Sequence, residues 1–141
     1  MKWLLLIPFL VLLGCVAIPL ESQIHVRMGS GAVFAVEVAD THAERSEGLM
    51  FREHLGESEG MWFVFENAYS YQFWMKNTFI PLDIIFVGED MRVVDIIKAE
   101  PCTEEPCKRY APAAPARYVL EVNQNSSDRN GVRKGDEVSF G

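Results

Sequence analysis

The chain has 141 residues, 49% of them hydrophobic, and carries 13 Lys and Arg against 20 Asp and Glu, for a net charge of −7. That length holds one domain plus an N-terminal leader. An acidic chain without a basic block or stripe argues against nucleic acid as a partner, and no internal repeat or low-complexity tract is present.

The N-terminus reads as an export signal. An apolar run, Trp3 to Leu13, follows a single Lys2 and closes on Leu12-Leu13-Gly14-Cys15. Small apolar residues, then Gly, then Cys, form a lipobox, so cleavage before Cys15 and lipidation of its thiol are expected. Each buried acyl methylene contributes about 0.8 kcal/mol, and two or more chains hold a protein at a membrane. The run is too short to span a bilayer alone. A competing reading joins it to Val16-Ala17-Ile18 as an uncleaved anchor that Pro19 would end. A third releases a free secreted protein. All three place the domain outside the cytoplasm, membrane-anchored on the extracytoplasmic side in the first two. The expected organisation is a leader over 1–15, a linker over 16–23 and one β-rich domain over 24–141.

Within the domain, Ile24 to Met28 alternates apolar and polar residues and predicts a first strand. Gly29-Ser30-Gly31 predicts a turn, and Val33 to Ala39 a second strand. Thr41-His42-Ala43-Glu44 fits a capping box, with a helix of about two turns to follow and Gly48 to end it. Met61-Trp62-Phe63-Val64-Phe65 is apolar on both faces, the pattern of a central strand buried on two sides. Tyr69 to Lys76 alternates again, with Tyr71, Phe73 and Met75 facing one way and Gln72, Trp74 and Lys76 the other. Pro81 marks a corner. Ile84 to Val87 predicts a buried strand, Gly88-Glu89-Asp90 a hairpin turn, and Met91 to Ile97 its partner. Ala99 to Ala116 holds four prolines and two cysteines and predicts a long stapled loop. Arg117 to Val122 predicts a further strand, Ser126 to Asn130 a helical turn, and the tail after Gly135-Asp136 a last strand. The fold class is therefore mostly β, a β-sandwich or partly closed barrel with one or two short helices.

With Cys15 lipidated, two thiols remain, Cys102 and Cys107. In an oxidising compartment a disulfide between them is the default. Closing so small a loop contributes only about 2 kcal/mol by chain entropy, so its role is to pin the Pro-rich loop. A zinc site competes but needs two more ligands, and His25, His42 and His54 show no ligand spacing near it. A redox pair would favour two intervening residues rather than four. No metal or other cofactor is expected.

The run Phe73-Trp74-Met75-Lys76-Asn77-Thr78-Phe79-Ile80-Pro81-Leu82-Asp83 spends an aromatic, a cation, an amide and a carboxylate near one corner. Trp74 offers a stacking platform, while Lys76, Asn77 and Asp83 offer polar contacts, which is how pockets for small polar ligands are built. The structural alternative has Trp74 covering the sheet, Lys76 paired with Asp83, and Asn77 shaping the turn. No Ser or Cys stands beside a base in a nucleophile motif. Asp83, Asp95, Glu121 and Asp136 are the acids from which a hydrolase would draw a carboxylate pair. Arg52 and Arg117 are expected to pair with acids such as Glu53 or Glu121.

The ordered segments resemble the exported family known as domain of unknown function 192, or uncharacterised protein family 0127. The resemblance is carried by Val36 to Thr41, Gly48-Leu49-Met50-Phe51-Arg52, Gly60-Met61 with Phe63 and Phe65, Phe73 to Thr78, and Ile80-Pro81-Leu82-Asp83-Ile84. It continues through Cys102, Tyr110, Pro112, Ala116, Tyr118, Leu120, Glu121 and Gly135-Asp136. It implies a compact β-rich fold and an extracytoplasmic setting; it does not imply a catalytic activity. The function expected is a tethered module that binds a small polar or envelope-derived ligand at Trp74, Lys76, Asn77 and Asp83. The alternatives are an envelope hydrolase using carboxylates near Asp83, and a structural or protein-interaction domain.

Overall fold

Alternation of apolar residues sets the pairing of the strands, and the pairing sets which side chains meet. In the computed structural model, which describes residues 23–141, seven strands form one mixed sheet. The expected leader, the lipidation of Cys15 and all but the last residue of the linker lie outside the described residues. The strands are β1 (Ile24–Met28), β2 (Val33–Ala39), β3 (Glu59–Tyr69), β5 (Leu82–Val87), β6 (Val93–Ala99), β8 (Ala116–Asn123) and β9 (Val138–Phe140). Their order is β6-β5-β8-β3-β2-β1-β9. All pairs are antiparallel except β2 with β3, whose crossover carries helix α1 (His42–Glu47). The sheet curls into a half-barrel.

The two edges of the curl are stitched at one end. Arg92 bridges Glu137, the Val93 amide donates to the Asp136 carbonyl at 3.0 Å, and the Val138 amide donates to the Met91 carbonyl at 2.8 Å. The enclosed face holds one core: Val26, Phe34, Trp62, Ile85, Val87 and Leu120 among others. Trp62 is sandwiched there between Tyr118, at 5.3 Å between ring centroids, and Phe140, at 5.6 Å. The outer face holds a second core, including Leu49, Met61, Phe63, Met75, Ile84, Phe86 and Val119. Burial of one such side chain contributes roughly 1.5–3 kcal/mol. Because successive residues of a strand face opposite ways, β3 feeds Met61 and Phe63 to the outer core and Trp62 to the inner one, as its all-apolar sequence requires.

The capping box forms as the sequence predicts. The Glu44 amide donates to Thr41 Oγ1 at 3.2 Å, and the Glu44 carboxylate accepts from the Thr41 amide at 3.1 Å. Gly48 ends the helix with φ of 51°. Its missing Cβ also matters, since one there would sit 3.3 Å from the Phe63 ring.

The strand expected over Tyr69 to Lys76 is shorter. Strand β3 runs on to Tyr69, through an irregularity after Val64, so the chain must reverse. The Tyr71 hydroxyl closes that reversal by donating to the Asn67 carbonyl at 2.8 Å. Only β4 (Phe73–Trp74) then pairs, with β7 (Arg109–Tyr110) inside the long loop, as a separate two-stranded ribbon. That loop is stapled by a Cys102–Cys107 disulfide. The Cys102 amide donates to the Met75 carbonyl at 3.3 Å, which ties the stapled loop to the segment after β4.

Candidate functional site

A cleft of about 520 Å³ opens on the outer face of the sheet. Its sides come from α1 and the turn after it, from the far half of β3, and from the β4–β7 ribbon. Phe63, Phe65, Phe73 and Trp74 give it aromatic walls. His42, Arg45, Glu47, Glu66 and Arg109 supply charged or titratable groups along the walls, and Glu121 of β8 also lines it.

Glu121 is the unusual member. Its β-partners are Met61 on one side and Ile84 on the other, so it projects into the apolar outer core. It is 5% exposed, and that residue of exposure opens on the cleft. Among the described residues its carboxyl has no hydrogen bond and no ion pair. Burial without compensation disfavours the charged form and pushes its pKa up from 4.5 to about 8. Gly60 allows the close approach of the β3 and β8 backbones beside it. A Cβ there would fall 2.5 Å from the Glu121 carbonyl, so only glycine lets β3 pass this point of β8.

Two guanidinium groups line the same cleft on aromatic supports. Arg109 lies with its Cζ 4.1 Å from the centre of the Trp74 ring. Arg45 lies 5.1 Å from the centre of the Phe65 ring, and its Nη1 donates to the Val64 carbonyl at 3.0 Å and to the Asp40 carbonyl. The Phe65 ring also stacks on Tyr71 at 3.8 Å. Neither arginine has a carboxylate partner among the described residues.

Of the four residues that the sequence grouped, only Trp74 lines this cleft. Lys76 lies 5.2 Å from the Trp74 ring centre, but its ammonium pairs with Glu105 of the stapled loop at 3.3 Å, rather than with Asp83. Asn77 holds φ of 52°, and its carbonyl accepts from the Phe51 amide at 2.7 Å. Asp83 is fully buried on the other face of the sheet. It sits opposite Val122, one residue out of phase with Glu121, and one step reverses the face. There its carboxylate accepts from the Asn125 amide at 3.1 Å, the Ser127 amide at 2.9 Å and the Ser127 hydroxyl. These bonds hold the start of helix α2 (Ser126–Arg129). The four residues therefore do not converge.

The arginines singled out in the sequence do pair, with other partners. Arg52 meets Glu37 at 2.8 Å and Arg117 meets Glu89 at 3.4 Å. Arg117 also donates from Nε to the Phe65 carbonyl at 3.2 Å, and Glu121 is left without a cation. Sequence reasoning missed the roles of Arg45 and Arg109. Nothing local marks them, because their aromatic supports and the cleft come together only in three dimensions. Glu121 did carry a signal: it is the one charge inside the otherwise apolar stretch Val119-Leu120-Glu121-Val122.

Fold and cleft together define a β-rich half-barrel domain with a single-sided cleft on its convex face. The chain belongs to the DUF192 family, whose model, described as an uncharacterized ACR, matches residues 24–140. It is 28% identical over 110 residues to the UPF0127 protein PH1112 of Pyrococcus horikoshii, covering 74% of this chain and 86% of that one. A crystal structure of a protein of unknown function from Novosphingobium aromaticivorans is similar with a TM-score of 0.75 and 44% identity, covering 83% of each chain. A second crystal structure, of a Sinorhizobium meliloti protein described provisionally as a transcription regulator, gives a TM-score of 0.72 and 32% identity. It covers 84% of this chain and 92% of that one.

Proposed function

We propose that this is an exported, membrane-tethered binding module whose cleft captures a small polar or envelope-derived molecule. One observation carries the reading: Glu121, a carboxyl without a partner, lies in the depth of an aromatic-walled cleft. A nearly buried carboxyl that faces a cavity, with its titration shifted by desolvation, is the mark of a candidate ligand site. A bound ligand would supply the missing hydrogen bond. The tether and the exported setting rest on the leader and its Cys15. The relative described as a transcription regulator does not move the reading toward nucleic acid, because a chain of net charge −7 has little attraction for phosphates.

The test is a thermal-shift screen of the full chain in mild detergent against sugars, cell-wall fragments and small acids and amines. A ligand at 100 times its dissociation constant adds about 2.7 kcal/mol, which raises the melting midpoint by several degrees in a domain of this size. The shift should vanish in Trp74→Ala and in Glu121→Ala. No shift with any compound, or a shift that survives both substitutions, would move the protein to a structural or protein-partner role. Mass spectrometry of the mature N-terminus tests the lipid on Cys15 separately.

A further inference from the structure

The cleft also carries information on which class of ligand it takes. Two of its aromatic walls, Trp74 and Phe65, are already engaged by cations of the chain itself. Trp74 already carries Arg109 at 4.1 Å and Lys76 at 5.2 Å, and Phe65 is engaged by Tyr71 and Arg45. A ligand ammonium would instead meet two guanidinium groups. Stacking on a ring holds a guanidinium in place and leaves its N–H edge available. That edge matches the two oxygens of a carboxylate. Arg109 is the better receptor, since no hydrogen bond or ion pair occupies it among the described residues, whereas Arg45 spends Nη1 on two backbone carbonyls.

Resting on the cleft as the binding site, we propose that its ligand is a small organic carboxylate, received by Arg109 and by Glu121 acting as a neutral hydrogen-bond donor. A protonated carboxyl donates one hydrogen bond and does not repel an anion. The apolar neighbours of Glu121 on the sheet, Met61 of β3 and Ile84 of β5, leave it in the protonated form at neutral pH. The other charged or titratable groups facing the cleft are His42, Arg45 and Glu47 from α1, Glu66 from β3, Tyr71 from the reversal and Arg109 from β7. Ionisation of Glu121 removes its donor hydrogen and sets a negative charge beside the bound anion, so binding is present below about pH 8 and fades above it.

The experiment is calorimetric titration of the full chain in mild detergent with three matched pairs, benzoate and benzamide, glucuronate and glucose, N-acetylmuramate and N-acetylglucosamine, and with benzylamine as a cationic control. At pH 6.5 at least one carboxylate should bind about tenfold tighter than its neutral partner, and by pH 9.5 it should lose tenfold or more, as expected when the donor form of Glu121 is depleted. Arg109→Gln should lose about tenfold at pH 6.5. Glu121→Gln keeps an N–H donor that does not titrate, so it should bind at pH 6.5 and hold that affinity at pH 9.5. Neutral partners binding as tightly as the acids, an unaffected Arg109→Gln, or benzylamine binding that strengthens with pH would each overturn the carboxylate assignment and leave the cleft as a binding site. Absence of binding by all seven compounds would overturn both.

Discussion

The Phe51 amide donates to the Asn77 carbonyl across 2.7 Å, and both residues hold left-handed backbone angles, φ of 65° and 52°. The bond ties the turn after α1 to the turn after β4, the two segments that flank the cleft. A bulky residue such as Phe rarely adopts this conformation, and such strain persists where surrounding structure over-determines it. Phe51 is 61% exposed and meets the 56% exposed Phe79 edge-on with ring centroids 6.4 Å apart, so burial does not explain the Phe.

The role of Asn77 is then conformational, and it can be separated from ligand contact. Asn77→Gly should leave stability close to native, because Gly enters the left-handed region freely. Asn77→Val should cost about 1–2 kcal/mol. Denaturant unfolding of the two variants decides the point. Equal losses would show that the amide group itself is needed.

Glu121 links stability to pH with a definite sign. Its folded pKa lies above the unfolded 4.5, at about 8, so the folded protein keeps a proton that the unfolded chain releases. Stability from this group is full below pH 4.5, falls as pH rises toward 8, and levels off above. The loss is on the order of a few kcal/mol. Glu121→Gln should flatten this slope and melt higher than the native protein at pH 9. A native-like slope in that variant would place the titration elsewhere.

Asp83 acts in the fold. Its carboxylate satisfies two backbone amides and a hydroxyl in a buried setting, and removing a buried acceptor strands its donors at about 1–3 kcal/mol. Asp83→Ala should therefore destabilise by that order and expose the amides of Asn125 and Ser127 to hydrogen exchange. A folded, fully stable variant with altered ligand binding would return Asp83 to the site.

The disulfide holds a loop that reaches Lys76 through Glu105 and Met75 through the Cys102 amide. Replacing both cysteines by Ser should cost about 2 kcal/mol by chain entropy. Proteolysis should then cut first between residues 102 and 107. Resistance there equal to the native protein would mean that packing, not the staple, orders the loop.

Patterns local to one element were readable in the sequence: the alternation of β1 and β2, the Thr41–Glu44 box, the two-faced strand Met61 to Phe65, and the Cys102–Cys107 pair. The site was read in part. Trp74 was singled out because large aromatics stand out, and its partner Arg109 comes from a loop 35 residues away that no period marks. Asp83 was grouped with Trp74 by closeness in sequence. The corner at Pro81 and the strand that follows carry it to the far face, and a phase of one residue in β5 is invisible until its partners are known. Glu121 was noted as one acid among four, because depth in a core depends on what β3 and β5 set beside it.

The walls and depth of the cleft come from distant parts of the chain: α1, β3, the β4–β7 ribbon and, last, Glu121 of β8. During synthesis the strands before β8 emerge first, and β8 must insert between β3 and β5, which are not neighbours without it. A polypeptide interrupted before residue 121 thus lacks Glu121, and its β1–β2–β3 and β5–β6 pairings are not joined into one sheet. Competence to capture a ligand arrives all at once, with completion of the central pairing, so occupancy of the cleft would serve as a readout of a finished molecule.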